Sequence, residues 1–255
     1  MRILYQLTSP MDKTIGAKEV SRRQQILQQY AAAGTDVAVE PTAAGPAAIE
    51  NAHDAAIVVP ELIRLAPYAQ RRGFDAIIIG CYSDPGIEAL REMLRIVVIG
   101  PGAASLYLAA QLGTRVSVLT PTGRGFGRVA ARLRALALEP LLASVRGIGL
   151  SVMELAQQTP GALDRAVEAA RRAIEEDGAD VLVLGCMSMA FLPGICESLS
   201  DQLGVPTVNP VAAALKTAEM TVVMKLVQSK VAYPLPKPTI AETRPMLRAA
   251  ASEQT

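Results

Sequence analysis

One eleven-residue segment occurs twice in this chain, and that repetition limits the fold more than any other feature. Gly73-Phe74-Asp75-Ala76-Ile77-Ile78-Ile79-Gly80-Cys81-Tyr82-Ser83 is matched by Gly178-Ala179-Asp180-Val181-Leu182-Val183-Leu184-Gly185-Cys186-Met187-Ser188. The offset is 105 residues throughout, and Gly, Asp, Gly, Cys and Ser recur at the same places. Each copy holds a short continuous apolar run closed by glycine, the pattern of a strand buried on both faces. The echo continues in Val97-Val98-Ile99-Gly100-Pro101 and Pro206-Thr207-Val208-Asn209-Pro210. Two similar lobes facing each other bring both copies to one cleft.

The rest of the chain fits a duplicated α/β unit. Strands are expected at Arg2–Leu7, Asp36–Glu40, Phe74–Ile79, Ile96–Ile99, Arg115–Leu119, Leu141–Val145, Asp180–Leu184 and Val205–Val208. Helical patterns lie between them, and alternation of this kind implies parallel sheets covered on both faces. Pro60 is expected to break the helical stretch Pro46–Arg72. The predicted fold is α/β with two pseudo-symmetric lobes and an active site in the cleft between them. The lobes are drawn as 1–104 with 209–255, including a long helix Val211–Val227 packing back on the first lobe, and 105–208. The tail Tyr233-Pro234-Leu235-Pro236-Lys237-Pro238 reads as polyproline-like, with frayed residues after it.

Composition removes several classes of function. The 255 residues are 51% hydrophobic and 19% charged, enough apolar material for a core and too little charge for disorder. Lys+Arg 25 against Asp+Glu 24 leaves a net charge of +1, with 4% aromatics and no Trp, so a nucleic-acid partner is not expected. No stretch approaches the ~20 apolar residues of a membrane span. The strand-like start lacks the regions of a signal peptide, and three cysteines without CxxC spacing suit neither a disulfide scaffold nor zinc. A cytoplasmic protein with free thiols, no metal, no cofactor, no membrane contact and a small-molecule substrate is expected, acting as a homo-oligomer.

Ligands of open parallel sheets bind beyond the carboxyl ends of the strands. Cys81 and Cys186 each sit one glycine past such an end. Free cysteine is often only a small buried hydrophobe, and Cys196, without a repeat partner, is assigned to packing. The matched pair asks for another explanation. If each cysteine opens a helix, its thiol should ionise below the usual value of about 8.5. Two thiols on opposite sides of a ligand suit proton transfer at carbon: one thiolate removes a proton and the other thiol returns one to the opposite face. Backbone N–H groups after each cysteine can hold the carbanion's oxygen. Ser83 and Ser188 can add hydroxyl contacts, and Thr120, at a strand end, is a further candidate.

These residues also carry a family resemblance. Cys81-Tyr82-Ser83-Asp84-Pro85-Gly86 resembles the Cys-aromatic-Gly/Ser-Asp-Pro-Gly signature of hydantoin and allantoin racemases. Gly185-Cys186-Met187-Ser188-Met189-Ala190 resembles their second signature, and Gly45-Pro46-Ala47-Ala48-Ile49-Glu50 is similar to a Gly-Pro-x-x-Ile-Glu segment they carry. The resemblance covers about residues 1–225 within the wider aspartate/glutamate racemase superfamily. It implies two α/β lobes, Cys81 and Cys186 as catalytic pair, and substrate contacts at Tyr82, Ser83, Met187 and Ser188. It also implies a cofactor-independent racemase of a 5-substituted hydantoin or related cyclic amide. The chain departs from the family at Leu7-Thr8-Ser9-Pro10, usually an Asn-Pro-Asn-type loop, and at Gly100-Pro101-Gly102-Ala103, usually Ile-Ala-Glu-Ala. An isomerase of an unsaturated diacid using a nucleophilic cysteine, and a two-lobed binding protein without turnover, are the alternatives.

Three weaker signals point to structure. Gly100-Pro101-Gly102 lacks the third glycine and the distant acidic residue of a dinucleotide fingerprint. Arg124, Arg128 and Arg132 read as a solvated helix face. His53, the single histidine, has no nucleophile elbow to serve and reads as a helix-surface or satisfied, partly buried residue.

Overall fold

The structure is a computed structural model that describes residues 1–237, so the reading of Pro238 and the residues after it lies outside those described. The first half runs β1 (Arg2–Leu7), one π-helical turn (Asp12–Gly16), α1 (Ala17–Tyr30), β2 (Asp36–Glu40) and α2 (Ala52–Arg71). It continues through β3 (Ala76–Gly80), α3 (Ile87–Met93), β4 (Val97–Ile99) and α4 (Pro101–Ala109). The second half runs β5 (Val116–Thr120), α5 (Phe126–Ala135), β6 (Leu142–Gly147), α6 (Val152–Ala156) and α7 (Ala162–Glu175). β7 (Val181–Leu184), α8 (Met187–Ala190), α9 (Ile195–Leu203), β8 (Thr207–Val208) and α10 (Pro210–Val223) complete it.

Two parallel four-stranded sheets result, ordered β2-β1-β3-β4 and β6-β5-β7-β8, the same order twice. Register sorts the side chains by face. Ile3, Ala76 and Val97 stand abreast, as do Tyr5, Ile78 and Ile99, and they enter a core shared with the second sheet. Leu4, Ile77 and Val98 point the other way, onto α2 and α3.

The repeated Gly-x-Asp at the start of β3 and β7 is an anchor. The Asp75 carboxylate accepts from Arg2 N at 2.7 Å, and the Arg2 guanidinium donates to Arg72 O at 2.7 Å. In the second half the Asp180 carboxylate accepts from Arg115 N at 2.8 Å, and Arg115 donates to Asp177 O at 2.6 Å. Gly73 and Gly178 supply the left-handed turn (φ 76° and 66°) that brings chain and arginine together. At the other strand end the glycines serve closeness. A Cβ on Gly80 would meet Gln6 O at 2.8 Å, and one on Gly185 would meet Leu119 O at 2.8 Å.

Each half lends its last helix to the other. α4 follows β4 and touches β3, but it packs also on α10, β7 and β8, whereas α10 follows β8 and touches α8 but packs mainly on α4, β3, β4 and α1. The position 104/105, drawn from sequence as a lobe boundary, therefore falls within a helix.

Pro60 does not break α2, which runs unbroken through Pro60 and Pro67. Each proline costs roughly 3 kcal/mol in a helix interior. Val58, Leu62, Ala66 and Ala69 are buried beneath the helix, and burying a Val or Leu side chain is worth about 1.5–3 kcal/mol. Pro60 itself is exposed, as is Ala56, whose carbonyl loses its helical partner on the open side of the helix rather than in the core. Tertiary burial wins over local propensity here.

Candidate active site

Between the two sheets lies a cavity of about 190 Å³, and all seven residues selected from sequence line it: Cys81, Tyr82, Ser83, Thr120, Cys186, Met187 and Ser188. Their roles in the wall differ. The Cys81 sulfur lies 3.2 Å from Ser83 Oγ, in a tight turn closed by Asp84 N donating to Cys81 O at 3.1 Å. Cys186 is buried at the head of α8 as its N-cap residue, near the N–H groups of the first turn but without a capping hydrogen bond from its sulfur. Thr120 caps β5 beside the cavity, and its hydroxyl leans on Arg146 O at 3.4 Å. Tyr82 touches the wall, but the residue is buried in the shared core, its phenol beside Ser105.

Two expectations for the thiols need correction. Only Cys186 opens a helix; Cys81 is followed by a turn, and α3 begins at Ile87. Nor is either thiol unusually acidic. Burial pushes the Cys186 thiol up to about 11, against the pull of the Met189 and Ser188 N–H groups and of Arg23, with Cys81 adding to the rise. Burial also raises Cys81, opposed by Ser83 and Arg132 and reinforced by Asp84. A helix of four residues cannot offset removal from water. All three cysteines are free, and Cys196, away from the cavity, sits half-buried against the core.

The turn after Cys81 is fixed by a buried ion pair. Asp84 adopts φ 47°, and its carboxylate accepts from Gly102 N at 2.9 Å, from Ala103 N at 3.1 Å and from the Arg132 guanidinium. The Gly100-Pro101-Gly102 loop is thus a helix start whose N–H groups are already taken by a carboxylate. A Cβ on Gly100 would lie 2.4 Å from that carboxylate, and one on Gly102 would lie 2.2 Å from Tyr82 O. Arg132 therefore leaves the solvated face expected for it, while Arg124 and Arg128 stay exposed. His53 is exposed in the first turn of α2.

The Gly-Pro-x-x-Ile-Glu segment spans the cavity mouth. Glu50 Oε1 accepts from Val152 N at 3.0 Å, and Arg128 donates to Glu50 O at 3.2 Å, so a first-half loop is tied to α5 and α6. Ile49 beneath it joins the lining, as do Thr8 and Ser9 at the end of β1.

Sequence reading missed Tyr5 and Arg23. Tyr5 is fully buried, its hydroxyl has no hydrogen-bond partner, and burial raises it further from ionisation, with Arg23 opposing and both thiols reinforcing. Arg23 lies under the cavity floor, donating to Glu19 at 2.8 Å and to Ser188 Oγ at 3.1 Å. The available signal was spacing. Glu19, Arg23 and Leu27 share the buried stripe of α1, so two charges stand where apolar residues belong. Among the described residues no cluster suits a metal ion, and no helix is long and apolar enough to cross a membrane.

Two matched strand ends thus present thiols to one open cleft between the sheets. Residues 18–218 match the Asp/Glu/Hydantoin racemase family. A hydantoin racemase of Paenarthrobacter aurescens is 34% identical over 213 residues, covering 83% of this chain and 89% of that one. The structures of an allantoin racemase from Klebsiella pneumoniae (28% identity, TM-score 0.84) and one from Pseudomonas fluorescens (30%, TM-score 0.85) superpose on it. They cover 96% and 94% of this chain, which covers 98% and 99% of theirs. The chain belongs to the Asp/Glu/hydantoin racemase family. It is a racemase, and so an isomerase.

Proposed function

We propose that this chain racemises a 5-substituted hydantoin or a related neutral cyclic amide, with Cys81 and Cys186 exchanging the roles of base and acid. One observation carries the substrate class: every charged side chain of the inner wall is already engaged by a partner. Arg23 is held by Glu19 and Ser188, Arg132 by Asp84, and Glu50 by Val152 N, while Arg128 stands exposed at the rim. A free amino acid or a diacid would bring a carboxylate with no unengaged guanidinium or ammonium inside to pair with it, and a poorly paired buried charge is costly. The hydroxyls of Thr8, Ser9 and Thr120 suit ring carbonyl and N–H groups, and Ile49, Val129 and Met153 suit an apolar substituent. One thiolate takes the proton at the carbon beside the ring carbonyl; the other thiol delivers a proton to the opposite face.

Incubation in deuterium oxide with a panel of hydantoins, allantoin, glutamate, aspartate and an unsaturated diacid tests this directly. Exchange with loss of optical rotation is expected for the cyclic amides alone. Turnover confined to the acids, or binding without exchange, would refute the reading.

A homo-oligomer belongs to the same proposal. Tyr107, Leu112, Met220, Val223 and Met224, on or just past α4 and α10, are large apolar side chains left exposed. Light scattering should give a mass that is a multiple of the 26.9 kDa chain, and a strict monomer at all concentrations would argue against it.

A further inference from the structure

The two thiols are braced from across the cleft. α1 leaves β1 and carries Arg23 to the start of α8, just after Cys186; α5 leaves β5 and carries Arg132 to the turn after Cys81. The contacts fall on matched positions of the repeat. Arg23 Nη2 donates to Ser188 Oγ at 3.1 Å, and Arg132 Nη1 donates to Ser83 O at 2.7 Å. We propose that Arg23 and Arg132 are a crosswise pair of positioning residues, each held by one half of the chain and each setting the reactivity of the cysteine in the other half.

The two braces differ in charge. Arg23, with only 2% of its side chain exposed, packs over the Phe191 ring at 4.7 Å and shares Glu19 with Arg22. Two guanidiniums on one carboxylate leave a net positive cluster behind Cys186. Burial of such a charge is expensive unless the surroundings hold it, and here Glu19, Ser188 and the Phe191 face do so. Arg132 pairs one-to-one with the buried Asp84, so Cys81 faces a neutral pair. The other groups facing Cys186 are Cys81 and the phenol of Tyr5, and those facing Cys81 are Asp84, Ser83, Cys186 and Tyr5. Glu50 and Arg128 lie at the rim, tied to backbone. Arg23 thus favours the thiolate of Cys186, whereas Arg132 mainly cancels Asp84 beside Cys81.

This inference builds on the two-thiol reading but is tested without turnover. Each cysteine's alkylation by iodoacetamide can be followed by mass spectrometry from about pH 6 to 10, where thiolate content sets the rate. In Arg23→Gln the Cys186 profile should move up by about one to two pH units while Cys81 stays put. Arg132→Gln removes the cation that pulls Cys81 downward and should move Cys81 upward and spare Cys186. Arg23→Lys and Arg132→Lys keep the charge and should recover most of each shift. Glu19→Gln removes the negative member of its cluster and should move Cys186 the opposite way. That variant carries the test should Arg23→Gln fail to fold. Unmoved profiles, or both cysteines moving together in every variant, would overturn the crosswise assignment even in an enzyme that racemises hydantoins. Selective shifts in a protein that racemises nothing would keep it and remove the proposed function.

Discussion

Cys81→Ser and Cys186→Ser should each lose racemisation by a factor of roughly 10²–10⁴, yet each should still exchange the α-proton of one enantiomer, and not the same one. The sulfurs sit at matched strand ends in opposite halves of the chain and face one cavity, so in the proposed mechanism each addresses one face of the reacting carbon. In Cys81→Ser the Cys186 sulfur keeps its place at the head of α8 and, on that mechanism, can still take the proton in front of it. Inversion fails because a serine hydroxyl is a far weaker acid than a thiol, and acid–base groups of this kind contribute roughly 10²–10⁴ in rate. Cys196→Ser, outside the cavity, should race at close to the unsubstituted rate. Proton exchange by NMR beside optical rotation reads all three variants. Unchanged racemisation in both cavity variants would leave the duplicated cysteines a purely architectural role.

The pH profile should be steep and displaced to the alkaline side. Both thiols are raised by burial, Cys186 to about 11, so both are protonated at neutral pH. In the proposed two-thiol mechanism the working form has lost one proton of the pair. Its population, and with it kcat/KM, should rise roughly tenfold per unit from about pH 7 to 8.5, as for any base titrating above that range. The second thiol must keep its proton to act as acid, so the rate falls once both ionise. Each charge disfavours the other, which separates the two steps and widens the plateau. A profile flat between about pH 6 and 8 would show that another group supplies the base.

The repeat was legible because both of its ends carry constraints that side-chain type reveals. Asp75 and Asp180 reach a neighbouring backbone N–H as short acceptors, and Gly80 and Gly185 clear a neighbouring carbonyl that a Cβ would meet. The strands were legible through their continuous apolar runs. Where the reading failed, the deciding partner was distant in sequence. The continuity of α2 depends on the sheet beneath it, which outweighs Pro60 and Pro67. Arg132 looked like one of three surface arginines because Asp84, which draws it inward, lies 48 positions earlier. Tyr5 sat in plain view in the first strand, but nothing local says that its hydroxyl ends unpartnered between two thiols and a guanidinium. Thiol acidity was misjudged for the same reason: a local motif suggests a helix start, whereas desolvation belongs to the whole cavity.

The traded helices α4 and α10 give one polypeptide the anatomy of a swapped dimer, with the cleft lined by both halves. Two identical subunits related by a twofold axis would have to present identical faces to whatever lay between them. Tethering the copies fixes their stoichiometry and raises their effective concentration, and it also releases them from that identity. One face can then hold a cysteine beside a neutral Asp84–Arg132 pair while the other holds its counterpart above an Arg22–Glu19–Arg23 cluster. The mirror-related halves of a racemisation are thereby served by surroundings free to diverge, a latitude that symmetry denies to the unfused arrangement.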